Sequence, residues 1–310
     1  MSRYEVRTAF QGFKIAMIGT GAMGLRMSRS LLEAGYALTV WNEDSRLCAP
    51  LLDLGASLAA SPRDAAEQAD IVISMVWDDE ASAAIWLDPQ CGAIHAMKPG
   101  AIAMECATLS TTHIEKLAQA FKAQRISFVS APMSGSLPEA ENRTLVFIVG
   151  SPTEVINCVE PVLYAIGSTI RHAGDAVDGM SEKLIINGKL GIEYIAMAEI
   201  VALLHAGQMN IDQRMSILTS TAPFSQRGLR EANFMIQGNY AVRVKVRQMV
   251  KDLGYAIQQF ASYDVPCPLH QMAHDLFSQA MDKGYGEQDA TIMHRLYEAR
   301  ALAQHAHLDE

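Results

Sequence analysis

No two cysteines of this chain stand in a CxxC spacing. The five are scattered, at Cys48, Cys91, Cys106, Cys158 and Cys267. Neither a structural zinc site nor a disulfide framework is encoded, and buried free thiols are expected. His270 and His274 are four apart with Asp275 beside them, but no third ligand follows at a zinc spacing, so no metal is expected. Basic charge is scarce. Against 34 acidic side chains there are 25 lysines and arginines, a formal net charge of −9, which argues against a nucleic-acid surface. Long hydrophobic runs are missing too. The longest apolar stretch, around 190–206, is broken by Glu193, Glu199 and His205, so no membrane span is expected. The first residues, Met-Ser-Arg-Tyr-Glu-Val-Arg, hold no hydrophobic signal core, and a cytoplasmic protein is expected. Repeats and low-complexity tracts are absent.

What the chain does have is length and apolar content. Its 310 residues, 50% of them hydrophobic, can build two domains with a core each. Residues 14–19, Lys-Ile-Ala-Met-Ile-Gly, read as a buried parallel strand. Residues 23–34 read as a helix closed by Gly35, and 37–41 as a second strand. Further strands are expected at 71–76, 101–105, 127–129 and 145–149. Alternation of strands with alanine-rich helical segments predicts an α/β, doubly wound parallel sheet over residues 1–175. From 176 to 310 strand-type runs become rare, and an all-helical domain is expected. The stretch 184–208 is apolar on nearly every face and predicts a long interdomain helix buried between two bodies. Breaks fall at Ala222-Pro223, Gly238-Asn239 and Val265-Pro266-Cys267-Pro268.

Gly19, Gly21 and Gly24 form GxGxxG between the first strand and the first helix, with Ala22 and Met23 inside the motif. The first glycine permits a tight turn, the second lets the backbone approach a pyrophosphate, and the third allows close packing of helix on strand. A helix N-terminus then favours the anion. The pattern points to a dinucleotide. The ribose-reading position lies about 20 residues on, in Asn42-Glu43-Asp44-Ser45-Arg46. Asn42 is neutral, Arg46 suits a 2′-phosphate, and Glu43 and Asp44 repel one, so NAD and NADP both stay open. Met75 and Val76, ending the third strand, are assigned to the same cofactor.

Ser130-Ala-Pro-Met-Ser-Gly-Ser136 is a small-residue loop whose N–H groups and hydroxyls suit a carboxylate, or equally an ordinary loop. Lys183 and Asn187 share a helix face at a spacing of four. Leu184, Ile185 and Ile186 follow the lysine, so its amine is expected to be poorly solvated, which lowers a lysine pKa toward the range of a general acid–base. Taken alone, a helix lysine with its head in water fits better. Lys251-Asp252 is a further charged pair at a helix.

In this order, these residues resemble the β-hydroxyacid dehydrogenase family, which includes 3-hydroxyisobutyrate dehydrogenases and semialdehyde reductases within the 6-phosphogluconate dehydrogenase superfamily. The likeness runs from about Phe13 to Leu296. The cofactor motif matches residues 18–24, the substrate motif Pro132-Met-Ser-Gly-Ser136, the catalytic motif Gly179 through Asn187, and the KDL motif Lys251-Asp252-Leu253. The resemblance implies a Rossmann-type domain followed by a helical one, and NAD or NADP as cofactor. It implies Lys183 as catalytic residue, Asn187 as the group that orients substrate, and Ser134, Gly135 and Ser136 as carboxylate ligands. Lys251 and Asp252 would close the site over substrate and cofactor, and Thr108 would lie near the nicotinamide. It also implies a homodimer or homotetramer.

Several positions depart from the family pattern. Glu105 stands for the usual Asp, Ala107 for Ser, Val177 for a common glycine, and Val244 where semialdehyde reductases often carry Phe. Glu43 replaces the arginine typical of NADP users. The expected activity is interconversion of a small 3-hydroxy acid and its semialdehyde. An imine reductase of the same superfamily is one alternative, though those enzymes usually replace the lysine. A catalytically silent nucleotide-binding scaffold is the other.

Overall fold

A computed structural model describes residues 12–297 of the chain. The first seven residues, on which the cytoplasmic expectation rests, lie outside the described residues. The chain divides into two compact units, the division falling between Lys183 and Leu184.

The first unit carries β1 (Lys14–Ile18), α1 (Ala22–Glu33), β2 (Ala37–Trp41), α2 (Ala49–Leu52), β3 (Ser57–Leu58), α3 (Pro62–Ala66), β4 (Ile71–Ser74) and α4 (Asp79–Leu87). It continues with β5 (Ile102–Glu105), α5 (Thr111–Ala123), β6 (Ser127–Ser130), β7 (Met133–Ser134), α6 (Leu137–Glu141), β8 (Leu145–Gly150), α7 (Thr153–Ile166) and β9 (Gly167–Gly174). The strand order is β3-β2-β1-β4-β5-β6-β8-β7, with β9 on β8. Pairing is parallel from β3 to β6, while β8 runs antiparallel to β6 and β7. The middle strands are apolar over most of their length because helices cover both faces. Every residue of β4 and β5 is buried. Ile15, Met17, Val40, Ile71, Ile73, Met104 and Val129 lie in the core. The order of strands reverses between β1 and β4, the switch point outside which ligands bind in open α/β sheets.

The strands expected from periodicity are all present, within a residue or two. Three more were not legible: β3, β7 and β9. β9, Gly-Ser-Thr-Ile-Arg-His-Ala-Gly, is mostly half-buried or exposed and has no apolar alternation. It is a strand because the backbone of β8 pairs with it, through two irregularities of register.

The second unit is helical. α8 (Ala176–Ala206) runs through the division and is followed by α9 (Ile211–Thr219), α10 (Gln226–Ile236), α11 (Val246–Ser262) and α12 (Pro268–Asp282). Capping chemistry sets the starts. Asn210 accepts from Gln213 N–H, Ser225 accepts from Gly228 N–H, and Pro268 opens α12. The core gathers Tyr194, Val201, Met249, Leu253, Phe277 and Ile292. α8 is not buried all round. Ile185, Ile186 and Leu203 remain 49%, 39% and 62% exposed in the single chain, a stripe at helical spacing with Lys189 and Glu199. Among the described residues, no helix is long and apolar enough to cross a membrane.

Candidate active site

The glycine turn is built by contacts that exclude side chains. Gly19 adopts φ +97°, and a Cβ there would meet the Met75 carbonyl oxygen at 2.3 Å and Val76 Cγ1 at 3.3 Å. Met75 and Val76 are thereby placed against the turn, tied also by Met75 N–H to the Ile18 carbonyl at 2.9 Å. A Cβ on Gly24 would stand 1.9 Å from the Gly19 carbonyl oxygen, so this glycine serves the close seat of α1 on β1. Gly21 differs. Nothing lies within 4 Å of its missing Cβ. It is the N-cap of α1, with no side-chain cap and no acidic residue in the first turn. The N–H groups at the start of α1, around the exposed Ala22 and half-buried Met23, thus face open space with the positive end of the helix dipole. A dinucleotide pyrophosphate fits this cradle in charge and in room.

The end of β2 is drawn toward the same turn. Gly19 N–H donates to the Trp41 carbonyl at 2.8 Å. Thr20 N–H donates to Asn42 Oδ1 at 3.0 Å, and Asn42 Nδ2 donates to the Asp44 carbonyl at 3.1 Å. Asn42 therefore spends its amide on positioning the loop. Arg46 reaches Asp44 with two bonds, 2.8 and 2.9 Å, and this guanidinium holds the Asp44 carboxyl below its usual range. Glu43 is exposed.

The opposite side of the switch point carries the loop after β5. Residues 101–107, 109 and 110 are all buried; Thr108 alone is half-exposed. The loop is anchored at its start and at its end. Glu105, completely buried, accepts from Ser82 Oγ at 2.9 Å, Trp86 Nε1 at 2.8 Å and Ala107 N–H at 2.9 Å. Burial pushes its carboxyl upward, and these donors pull it back. Ser110 donates its N–H and hydroxyl to Asp79, at 2.9 and 2.5 Å. Leu109 N–H donates to Met180 Sδ at 3.4 Å. The expectation at 105–108 was drawn from the threonine; the buried carboxylate that anchors it was missed. Its signal was present, a lone acid closing an otherwise apolar strand.

The loop after β7 turns at Gly135, with φ +134°. A Cβ there would strike Leu145 Cδ2 at 2.7 Å and Glu139 Cβ at 2.9 Å, so only glycine fits. Ser136 donates both N–H and hydroxyl to Glu139 Oε2, at 2.7 and 2.8 Å. Both of its donors are thus engaged at the start of α6.

α8 begins on the same unit. A Cβ on Gly150 would meet the Asp175 carbonyl at 1.9 Å and Gly179 N at 2.9 Å, and one on Gly179 would meet Gly150 N at 2.8 Å. Two glycines thus let the first turn of α8 lie on the end of β8, which seats Met180 and, one turn on, Lys183. Lys183 keeps 8% exposure. Further along α8, Asn187 is also buried. Its Nδ2 donates to Asp252 Oδ2 at 2.7 Å. A carboxylate only accepts, so the amide is oriented with its NH2 toward Asp252 and its oxygen away. Lys251 Nζ pairs with Asp252 Oδ1 at 2.9 Å and lies 5.0 Å from the Tyr255 ring centroid. Asn187, Asp252 and Lys251 form one cluster in the helical unit, with Asn187 buried, Asp252 completely enclosed and Lys251 partly exposed.

Residues 14–174 match the model of the NAD binding domain of 6-phosphogluconate dehydrogenase. Residues 178–297 match that for the NAD-binding region of NADP-dependent 3-hydroxyisobutyrate dehydrogenase. The chain is 30% identical to the NAD-dependent L-serine dehydrogenase of Pseudomonas aeruginosa, over 92% of this chain and 98% of the relative. Its fold matches the crystal structure of 3-hydroxyisobutyrate dehydrogenase from Salmonella typhimurium, with TM-score 0.82, 28% identity, and coverage of 92% and 99%. An imine reductase from Pseudomonas sp. shares the fold more distantly, with TM-score 0.60 and 17% identity over 91% and 98%. With both halves matched in order, the chain belongs to the β-hydroxyacid dehydrogenase family of NAD(P)-dependent oxidoreductases acting on CH–OH groups.

Proposed function

We propose that this enzyme interconverts a small 3-hydroxy acid and its semialdehyde, with Lys183 as general acid–base. One observation carries the reading: a lysine 8% exposed stands four residues before a buried asparagine on one helix. When bound, the nicotinamide ring supplies or accepts the hydride. The chain does the rest. Gly21 and the N-terminus of α1 hold the pyrophosphate, while Gly19, Gly24, Met75 and Val76 shape the turn around it. Asn42, Glu43 and Arg46 face the adenosine ribose, and Thr108 the nicotinamide end. The Ser134 hydroxyl and Gly135 N–H hold the substrate carboxylate. In reduction Lys183 Nζ gives a proton to the carbonyl oxygen as it gains charge; in oxidation it removes one from the hydroxyl. Asn187 turns its carbonyl oxygen toward the substrate hydroxyl because Asp252 holds its NH2. Lys251 adds positive charge beside an anionic substrate or cofactor.

The relative that acts on L-serine makes a 3-hydroxy acid with a small substituent at C2 the first candidate. The lysine at 183 separates this reading from an imine reductase. As in its family, the enzyme works as a homodimer or homotetramer, for which the exposed Ile185, Ile186 and Leu203 provide apolar surface. The test is a turnover screen with all four cofactor forms. The oxidised forms are offered L-serine, L-threonate and 3-hydroxyisobutyrate. The reduced forms are offered glyoxylate and the succinic, tartronate and methylmalonate semialdehydes. Turnover of at least one hydroxy acid or semialdehyde is expected. Nucleotide binding without turnover of any of them would favour a silent scaffold.

A further inference from the structure

Glu105 is an ionisable side chain with no exposure, at the C-terminal, ligand-facing end of β5, an inner strand of the parallel sheet. Such a group is expensive to bury unless every lone pair is used. Here Oε2 takes the Ser82 hydroxyl and the Trp86 indole N–H, both from α4, and Oε1 takes the Ala107 N–H, from the loop itself. The carboxylate thus bolts the first residues of the loop to α4. At the other end of the loop Asp79, also on α4, holds Ser110. Between them Leu109 N–H is held by Met180 Sδ, one helical turn before Lys183. The only residue of the loop to reach solvent is Thr108. Buried carboxylate, α4 and Met180 form one frame whose single outlet is the position assigned to the nicotinamide.

We propose that Glu105 is a positioning residue for hydride transfer: its acceptance of the Ala107 N–H fixes Thr108, and through Leu109 and Met180 it sets that loop against the turn of α8 that carries Lys183. The inference rests on the proposed oxidoreductase function. A carboxylate is required rather than an amide. Both oxygens face N–H donors that cannot reverse, the indole on one side and the backbone on the other. A glutamine can accept on one side only. Its NH2 then opposes either Trp86 Nε1 or Ala107 N, and the loop gives before the core helix does. Aspartate is one methylene shorter, but it can still accept from the N–H two residues on, as in a local Asx turn.

The experiment compares wild-type protein with Glu105→Gln and Glu105→Asp. It measures dissociation constants for NADH (or NADPH, whichever the wild type binds more tightly) and for ADP-ribose, which carries no nicotinamide. It also measures kcat with the best substrate of the screen and the melting temperature of each protein. The expected result is a folded Glu105→Gln protein with reduced-cofactor affinity and kcat each lowered about tenfold or more. ADP-ribose affinity stays within about twofold, and Glu105→Asp restores most of kcat. A folded Glu105→Gln variant with unchanged cofactor affinity and kcat overturns the proposal, whatever its melting temperature. So does equal weakening of the reduced cofactor and ADP-ribose, which marks a general loosening. Should Glu105→Gln not fold, Met180→Leu removes the far anchor at nearly constant volume. Selective loss toward the reduced cofactor, with ADP-ribose unaffected, then supports the frame, and uniform or absent change overturns it. A wild-type protein that binds none of these nucleotides sinks the proposed function itself, a different failure.

Discussion

Lys183 is a charged side chain that the fold keeps out of water, and burial of an amine is costly unless the position is used. Lys183→Ala is expected to lower kcat by roughly 10²–10⁴-fold with little change in cofactor affinity. Steady-state kinetics across pH beside calorimetry with the cofactor make the check, and a variant that keeps wild-type kcat at its optimum would remove the lysine from the chemistry. On the proposed reading, cofactor choice falls to three charges at the end of β2. Asp44 already holds the Arg46 guanidinium, and Glu43 adds a negative charge, which together would favour NAD over NADP. The Asp44–Arg46 pair is exposed, though, and exposed pairs are weak. Arg46 can therefore be drawn off by a 2′-phosphate, and discrimination is expected to stay below about 100-fold, two factors of ten. Glu43→Arg removes an anion and adds a cation, so the ratio of kcat/KM for NADH over NADPH should fall. No change in that ratio would show that position 43 does not face the ribose.

At the scale of elements, α1 presents an uncapped N-terminus to open space at Gly21. Gly21→Val fills the space and leaves the packing glycines Gly19 and Gly24 alone. A folded variant with strongly weakened dinucleotide binding is expected, read by cofactor fluorescence titration beside circular dichroism; equal affinity would move the pyrophosphate elsewhere. α5 contributes a pH dependence. His113 is buried in its first turn, with Nε2 lacking a partner among the described residues. Burial pushes its pKa below the ordinary 6.5, and Asp79 only partly offsets this. The native imidazole therefore stays neutral where the unfolded one takes up a proton. The unfolded state binds more protons just below pH 6.5, so stability is lost as pH falls from there through the depressed native value. His113→Gln should flatten this dependence. Urea midpoints between pH 7.5 and 5 measure it, and an undiminished acid slope in the variant would assign the loss to other groups.

The whole molecule carries a stripe of exposed apolar residues along α8, its longest helix. If the family's oligomers form here, light scattering should give two or four times the chain mass of 33.8 kDa. Leu203→Glu, on that stripe, is then expected to shift the protein toward monomer, because an ionised carboxylate at a dry interface is costly. A wild-type mass of one chain, or an oligomer indifferent to the substitution, would discard this surface. The sequence by itself determined the parts governed by local period and local sterics. The β1–α1–β2 unit, its three glycines, the helical second half and the shared face of Lys183 and Asn187 all follow from spacings of two, three and four along the chain. Tertiary structure decided what depends on residues far apart. β9 is a strand only because β8 offers it a backbone. Asn187 is oriented by Asp252, 65 residues away, and the departure at Glu105 acquires a purpose only beside Trp86. Ser136 donates to Glu139, a bond that the loop's small residues did not announce. Periodicity tells a chain which face to bury, but which polar atoms meet inside is settled by packing, since each buried donor must find an acceptor wherever the fold has put one.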